Sequence, residues 1–389
     1  MTELKIYGDH DERTVSQMRR CMGVGSVAGG VLCADGHLGY AQPVGGVIAY
    51  EDHVSISGVG FDIGCGNMAA RIDLKYEDIK ARVPMIANDI NKAISFGMGR
   101  SNPNPIDHAV FDSPLWHDAD TGHLKQMARA QLGTVGSGNH YVDLFEDEAG
   151  YVWIGVHFGS RGLGHKSATH YLKLAGGKDG MDVAPTVVAV ESELGQRYLA
   201  AMTLAGEYAY AGREWVVEQV RSILCAEATD TVHNHHNYAW RERHGERDLW
   251  VVRKGATPAF PGQRGFVGGS MGDNAVILSG IESEDGAKSL YSTVHGAGRV
   301  MSRTQAKGKR NRKTGEVLRE GLVSADAMQT WLREKGVHLI GGDLDEAPQA
   351  YRRLPDVLAH HAGTVKVEHT LRPFAVVMAG ADVFDPFKD

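Results

Sequence analysis

The sequence predicts an α+β fold in one large domain that spans residues 1–389. Short strand-like runs separated by glycine fill residues 24–73, where apolar and β-branched residues alternate. A long segment with helical spacing of apolar residues follows at 191–228. Strands and helices therefore come in blocks, which favours α+β over the strict alternation of a doubly wound parallel sheet.

The first half of the chain is predicted to run from strands into a helix and then a hairpin. Residues 75–98 have a helical pattern, and 101–116 ("SNPNPIDHAVFDSPLW") form a loop. Residues 142–162 read as a β-hairpin with its turn near 148–150. In the second half, Gly206 and Gly212 are expected to divide the 191–228 helix in two. Strands resume at 248–256 and 275–281, and 307–316 ("KGKRNRKTGE") is a basic, polar loop.

Composition excludes several classes of protein. The net charge of −7 excludes a global basic field, although a local basic patch is still allowed. The four cysteines form no CxxC pair, and the polar start has no signal-peptide pattern. No apolar run is long enough for a membrane helix. We therefore expect a cytoplasmic protein. We also expect a monomer, although composition does not decide the oligomeric state.

Two groups of polar residues on glycine-rich turns suggest a metal site. Asp62 and Cys65 lie three apart in "GFDIGCGN", where a carboxylate and a thiolate can chelate one cation. His140 follows a glycine turn, His157 ends an apolar strand-like run, and "HNHHNYAW" offers a third histidine among His233, His235 and His236. Taken singly, the cysteine can be a small buried hydrophobe and each histidine a hydrogen-bonded structural residue. Together the five ligands suit first-row divalent metals and exceed one tetrahedral site, unless the thiolate bridges two ions.

The segment "YSTVHGAGRVMSR" (291–303) offers a nucleophile. A strand is predicted to end at Val294, and Gly296 and Gly298 after His295 remove side chains, so that backbone N–H groups could approach a ligand closely. Arg299 and Arg303 are four apart, which would place them on one face of a helix. The alternative is a glycine turn with a hydrogen-bonded histidine. The chain has neither a Walker A motif nor a KxDG lysine motif, so a nucleotidyl transferase would have to attach the nucleotide to another residue, for which His295 is the candidate.

In their order along the chain, several motifs resemble those of the RtcB family of GTP-dependent RNA ligases. They include "CADGHLGYAQPVGGVIAY", "GVGFDIGCGN", "QLGTVGSGNHYVDL", "VHFGSRGLGH", "HHNYAWRE", "RKGATPAFPGQRGFVGGSMGDN", "HGAGRVMSRTQAK" and "EAPQAYRRL". The resemblance implies joining of RNA 2′,3′-cyclic phosphate or 3′-phosphate ends to 5′-hydroxyl ends, with GTP and two Mn²⁺ ions as cofactors. The RNA would be tRNA halves or damaged ends.

The resemblance also implies roles for individual residues. His295 would be guanylylated, one ion would be held by Asp62, Cys65 and His140, and the other by Cys65, His157 and His236. Contacts to the nucleotide would come from Asn139, Asp143, Asn237, Ser270, Ala297 and Gly298, with Tyr351 packing on guanine. The candidates for phosphate or RNA are Arg161, Arg299 and Arg303, although Arg303 could instead serve only to hold the turn.

The sequence departs from the family pattern at the base pocket. Asp143 replaces a glutamate, and Ala379 replaces a lysine that contacts guanine. A tail with Phe384, Phe387 and Lys388 could substitute for that lysine. The basic loop is a candidate RNA contact through Lys307, Lys309, Arg310, Arg312 and Lys313. Two other functions stay open: a two-metal phosphoesterase, and a non-catalytic relative that binds nucleotide or RNA.

Overall fold

A computed structural model describes residues 3–310, 314, 316–381 and 383. It shows a mixed α/β architecture built around one large sheet. The strands are β1 Leu4–Ile6, β2 Val27–His37, β3 Val44–Tyr50, β4 His53–Ser55, β5 Gly66–Lys75, β6 Tyr141–Glu146, β7 Tyr151–Phe158, β8 Val187–Ala189, β9 Ala228–His235, β10 Asn237–His244, β11 Arg247–Lys254, β12 Ala256–Pro258, β13 Arg264–Val267, β14 Ala275–Gly280, β15 Ser292–Val294, β16 Gly308–Arg310, β17 Val317–Glu320, β18 His338–Gly342 and β19 Val365–Gly380.

The large sheet has eight strands in the order β13-β14-β19-β6-β7-β5-β9, with β18 also paired to β19. A second sheet has the order β1-β2-β3-β11-β10, and three two-stranded sheets pair β12 with β15, β16 with β17, and β4 with β8. Among the described strand pairs, only β1–β2 and β18–β19 are parallel. The largely antiparallel pairing agrees with the prediction against a doubly wound sheet. That residues 1–389 form one domain stays a prediction.

The helices cover and flank these sheets. They are α1 Glu12–Cys21, α2 Ile56–Val59, α3 Tyr76–Ile79, α4 Val83–Ala93, α5 Leu115–Asp118, α6 Lys125–Gln131, α7 Arg161–Leu174, α8 Glu193–Leu224, α9 Glu284–Lys288, α10 Arg303–Lys307, α11 Ala325–Lys335 and α12 Leu354–Ala359. Within the described part of the chain, no helix is both long and apolar enough to cross a membrane.

The 142–162 hairpin is confirmed as β6 and β7, but the predicted break in the long helix is wrong. Helix α8 is continuous through Gly206 and Gly212. Gly206 packs closely against two neighbours. A Cβ at Gly206 would lie 2.8 Å from the Tyr238 ring, and Gly64 of the 60–65 turn packs against the Cα atom of Gly206. The glycine therefore serves close packing, and tertiary contacts offset its low helix propensity.

Two predictions around residue 300 are also corrected. Residues 307–316 are not simply a loop, because β16 and β17 form an antiparallel pair that begins in this segment. Arg299 precedes helix α10 and forms an isolated bridge with Tyr351, so it does not share a helix face with Arg303. Arg312, Lys313, the side chain of Arg310, and the tail residues Phe384, Phe387 and Lys388 lie outside the described residues.

Candidate metal and nucleotide site

One end of the large sheet gathers the predicted metal ligands. Strand β5 starts there and pairs antiparallel with β7 and β9, so its first residues lie beside the last residues of both neighbours. Asn67 pairs with His157, and His157 pairs in turn with Tyr141, the residue after His140. Cys65 also accepts a backbone hydrogen bond from His236, with 2.8 Å between N and O. Hydrogen-bonding register thus brings together residues more than 150 positions apart.

Three of these side chains form a compact ligand cluster. The Cys65 Sγ atom lies 3.8 Å from Nε2 of His140 and 3.8 Å from Nε2 of His157, and the ligand atoms of all three residues lie within 4.8 Å of one another. Bonds of the usual length to a tetrahedral zinc ion would separate such S and N atoms by about 3.5 Å. The cluster therefore fits a first-row divalent ion with little rearrangement.

The orientation of His157 is fixed from behind the cluster. Its Nδ1 lies 2.7 Å from Oδ1 of Asn67, and the Asn67 amide nitrogen donates to the Phe266 carbonyl oxygen at 2.8 Å. Because the amide nitrogen of Asn67 is used in that second bond, the amide oxygen faces the His157 ring. That oxygen can only accept, so Nδ1 of His157 must donate. Its Nε2 then carries a free lone pair directed at Cys65, which is the arrangement found for metal-binding histidines.

Asp62 and His236 border the cluster on opposite sides. Oδ2 of Asp62 lies 3.1 Å from Nε2 of His140, and the His236 ring stacks on His157 with centroids 5.1 Å apart. Nδ1 of His236 is buried without a hydrogen-bond partner among the described residues. An unpartnered buried nitrogen is costly, and a metal ion would use its lone pair.

Electrostatics around the cluster also fit a cation. Burial, then the charges of nearby histidines, hold the pKa values of His157 and His236 well below the usual range, which favours the neutral imidazole that a metal ion binds. Burial acts to raise the pKa of Asp62, but its hydrogen bond to His140 lowers it to about 2. Burial and Asp62 raise the pKa of Cys65 well above that of an ordinary thiol. A bound cation reverses such an effect by stabilising the thiolate.

His295 lies beside this cluster and is held by a buried carboxylate. Its ring centroid is 4.9 Å from that of His236. Oδ2 of Asp35, a residue with 0% exposure, accepts from His295 Nδ1 at 2.6 Å and from the backbone N–H groups of His295 and Gly296 at 3.0 and 3.3 Å. Nδ1 therefore carries a proton, and in the neutral form of the ring the lone pair lies on Nε2. Burial opposes ionisation of Asp35, but the His295 contacts keep the pKa of its carboxyl below the usual value.

A cavity of about 710 Å³ connects the cluster with the other predicted residues. All the predicted site residues except Arg161 line it. They are Asp62, Cys65, Asn139, His140, Asp143, His157, His236, Asn237, Ser270, His295, Ala297, Gly298, Arg299, Arg303 and Tyr351. Arg161 instead donates to the Gly97 carbonyl oxygen at 3.0 Å and to Thr134 at 3.3 Å. The structure places it outside the cavity wall.

The two predicted arginines that line the cavity bind protein groups. Arg299 donates to the Tyr351 hydroxyl at 2.9 Å and the Asp345 carbonyl oxygen at 2.8 Å. Arg303 forms ion pairs with the buried Asp345 and Glu346 carboxylates. Both guanidinium groups therefore position the Tyr351 wall of the cavity, and the contacts of Arg303 support the alternative that it holds the turn.

Some predicted nucleotide contacts are similarly engaged. Asn237 accepts from the Gly255 N–H at 2.7 Å and donates to the Asp62 carbonyl oxygen at 3.3 Å. Ser270 donates to Asp273 at 2.7 Å. The Oδ1 atom of Asp143, in contrast, is buried and has no partner in the described part of the chain. Burial raises the pKa of the Asp143 carboxyl well above its usual value.

Ala379 does not face the cavity. Side chains alternate along β19, so Val376 and Met378 line the cavity, whereas Val377 and Ala379 pack in the opposite hydrophobic cluster with Phe96. The expectation that position 379 points at a guanine base is therefore wrong for this chain. The cavity wall contributed by β19 is apolar.

Sequence reasoning missed two residues that orient the site. Asp35 occurs in "CADGH" and Asn67 in "GCGNM", both inside motifs that were noticed for other reasons. An aspartate inside an apolar, glycine-rich strand pattern indicates a carboxylate that will be buried. Because charged groups are rarely buried without a partner, it also indicates that a polar partner lies nearby. Its partner, His295, lies 260 residues away and could not be identified from spacing.

Comparison with known proteins agrees with this architecture. The family described as "RtcB: tRNA-splicing ligase RtcB" matches residues 17–122 and 112–379. An RNA-splicing ligase RtcB from Escherichia coli K12 is 31% identical, covering 88% of this chain and 88% of the relative. A tRNA-splicing ligase RtcB from Thermococcus kodakarensis is 31% identical over 89% and 86%, and an RNA-splicing ligase RtcB from Mycobacterium bovis is 30% identical over 91% and 97%. The chain belongs to the RtcB family.

Proposed function

We propose that this chain is an RNA ligase that joins 2′,3′-cyclic phosphate or 3′-phosphate ends to 5′-hydroxyl ends through a histidine–GMP intermediate. The observation that carries the proposal is the His295–Asp35 pair beside the Cys65 cluster. It supplies an imidazole that is hydrogen-bonded to a carboxylate through Nδ1, at the wall of a cavity large enough for a nucleotide.

The metal ligands divide into two overlapping sets. Asp62, Cys65 and His140 would hold one divalent ion, and Cys65, His157 and His236 the other, with the thiolate shared. Bound ions would neutralise charge on the nucleotide phosphates and on the phosphorus under attack. The ligands suit zinc as well as manganese, so the choice of Mn²⁺ rests on the family resemblance. The choice of GTP rests on that resemblance too.

In the proposed reaction, His295 Nε2 bonds to the α-phosphorus of GTP and pyrophosphate leaves. Asp35 holds the ring proton on Nδ1 and stabilises the positive charge that the imidazole gains. Where the RNA end is a 2′,3′-cyclic phosphate, water first breaks the bond from phosphorus to O2′, which leaves a 3′-phosphate and a 2′-hydroxyl. The GMP group then passes from His295 to an oxygen of the RNA 3′-phosphate, which frees the imidazole. Attack by the 5′-hydroxyl on that phosphorus forms the new RNA bond and releases GMP and a proton. We place the reaction in the cytoplasm, with a monomer acting on tRNA halves or damaged RNA.

A ligation assay tests the proposal. An RNA with a 2′,3′-cyclic phosphate is incubated with a 5′-hydroxyl RNA, with GTP and Mn²⁺ each present or omitted. We expect a joined product only when both are present, no product from His295→Ala, and normal product from His117→Ala, an exposed histidine outside the cavity. Release of phosphate without joining and without GTP would instead identify a two-metal phosphoesterase.

A further inference from the structure

Arg213 of helix α8 is fully buried directly behind the ligand cluster, with 0% exposure. Its Nη1 donates to the carbonyl oxygens of Gly64 and Phe158, at 2.9 and 2.6 Å. Nε donates to Nε2 of His233 at 2.9 Å, and Nη2 lies 3.0 Å from Nδ1 of His235. Nδ1 of His235 also lies 2.9 Å from the Gly64 carbonyl oxygen, so it accepts from Arg213 in one tautomer and donates to Gly64 in the other.

Three of these four partners are immediate neighbours of a proposed metal ligand. Gly64 precedes Cys65, Phe158 follows His157, and His235 precedes His236. The three segments belong to the 60–65 turn, the end of β7 and the end of β9. A single planar group therefore fixes the relative positions of three ligand-bearing backbones that lie far apart in the sequence.

The helix reaches this position because small residues line its path. Gly206 of α8 packs on Gly64, where an added Cβ would lie 3.2 Å from the Gly206 Cα. Gly212, next to Arg213, packs against the Phe158 ring, which an added Cβ would approach to 3.3 Å. The two glycines that were expected to break the helix instead bring its arginine against the ligand-bearing segments.

The charge of this guanidinium is also unusual. Among the described residues, no carboxylate forms a salt bridge with Arg213, and its hydrogen-bond partners are carbonyl groups and neutral imidazoles. Burial lowers the pKa of Arg213 only to about 10, so it stays charged at pH 7. A buried charge without an ionic partner is costly, and the carboxylates whose charges act on Arg213 are Asp62, beside the ligand cluster, and Glu214. This arrangement favours a function at the metal site over a purely structural one.

We propose that Arg213 is a positioning residue of the metal site, which holds the backbones of Cys65, His157 and His236 in the geometry that binds divalent ions. The inference rests on the proposed function, because it takes these side chains as metal ligands. It assigns a role in metal affinity to helix α8, although no residue of this helix, which the structure describes in full, lines the cavity.

The test compares two buried arginines. Arg253 also has 0% exposure and four polar contacts, but these go to Glu242, Ser292 and Leu290. Purified metal-free wild type, Arg213→Lys and Arg253→Lys are titrated with Co²⁺, following the thiolate-to-cobalt charge-transfer band, and thermal unfolding is recorded for each. Lysine keeps the charge but cannot reach four acceptors.

We expect Arg213→Lys to bind Co²⁺ about 10- to 100-fold more weakly than wild type, the range for residues that orient metal ligands. Arg253→Lys should keep wild-type Co²⁺ affinity even if it unfolds at an equally reduced temperature. Equal Co²⁺ affinity in all three proteins, or equal loss in both variants, would overturn the role of Arg213. If wild type itself shows no Co²⁺–thiolate band, the proposed metal ligands are contradicted, and that result does not depend on Arg213.

Discussion

Replacing Asp35 should distinguish the loss of a charge from the loss of an oriented ring. Oδ2 of Asp35 accepts three hydrogen bonds, two of them from the backbone N–H groups of His295 and Gly296. In Asp35→Asn, the side-chain oxygen should take the place of Oδ2, because an amide nitrogen there would put its own N–H groups against the two backbone donors. The asparagine oxygen should therefore still accept from His295 Nδ1, and the ring should keep its tautomer.

The expected effects follow from hydrogen-bond energies. A bond to a charged group contributes about 1.5–3 kcal/mol and a neutral one about 0.5–1.5 kcal/mol, so Asp35→Asn should lose about 1–1.5 kcal/mol. That corresponds to a decrease of about 5- to 13-fold in the guanylylation rate. Asp35→Ala removes the acceptor entirely, and the same energies predict a decrease of about 10- to 150-fold.

The assay is single-turnover formation of labelled protein–GMP with saturating GTP and Mn²⁺, with thermal unfolding as a check that each variant is folded. The order of rates should be wild type, then Asp35→Asn, then Asp35→Ala. If the asparagine variant is as slow as the alanine variant, the backbone N–H groups do not select the oxygen. If both variants react at the wild-type rate, Asp35 does not orient the nucleophile.

Three further predictions concern the metal, the RNA and the base. Cys65→Ala should lower bound metal by more than His140→Ala does, because one thiolate serves both ligand sets; equal metal content by elemental analysis would contradict a shared ligand. Neutralising the basic segment should reduce the slope of log affinity against log salt by about 0.7 for each phosphate interaction that is removed, and an unchanged slope would exclude this segment from RNA binding. The five substitutions are at Lys307, Lys309, Arg310, Arg312 and Lys313. Ala379→Lys should lower the unfolding temperature, since it buries a charge in an apolar cluster, and leave the ratio of GTP to ATP adducts unchanged; a shift towards GTP would show that this side chain reaches the base.

Local patterns predicted the parts of the site that depend on one segment. The hairpin of β6 and β7 followed from alternation and a turn signal, and the histidines were expected at strand ends because apolar runs stop at them. The prediction that these ligands act together relied on their number and on the family resemblance. The register that joins β5, β7 and β9 is a long-range property that no local pattern contains.

The errors have a common physical origin in tertiary contacts. Glycine lowers helix propensity, but at Gly206 the close approach of the 60–65 turn selects glycine without breaking the helix. The segment around β16 and β17 is polar and basic, so its strand pairing could not be inferred from apolar alternation. Ala379 was placed by motif alignment, and only the side-chain alternation along β19 shows which way it points.

Locating a covalent nucleotide on the protein would test the role of His295 as nucleophile without relying on any other step. Wild type is incubated with GTP and Mn²⁺, denatured, and analysed by intact-mass and peptide-fragment spectrometry. We predict one GMP group per chain, attached to His295 through an acid-labile phosphorus–nitrogen bond, and no adduct in His295→Ala. An adduct on another residue, an adduct that persists in His295→Ala, or no adduct in a wild-type protein that ligates RNA would contradict this mechanism.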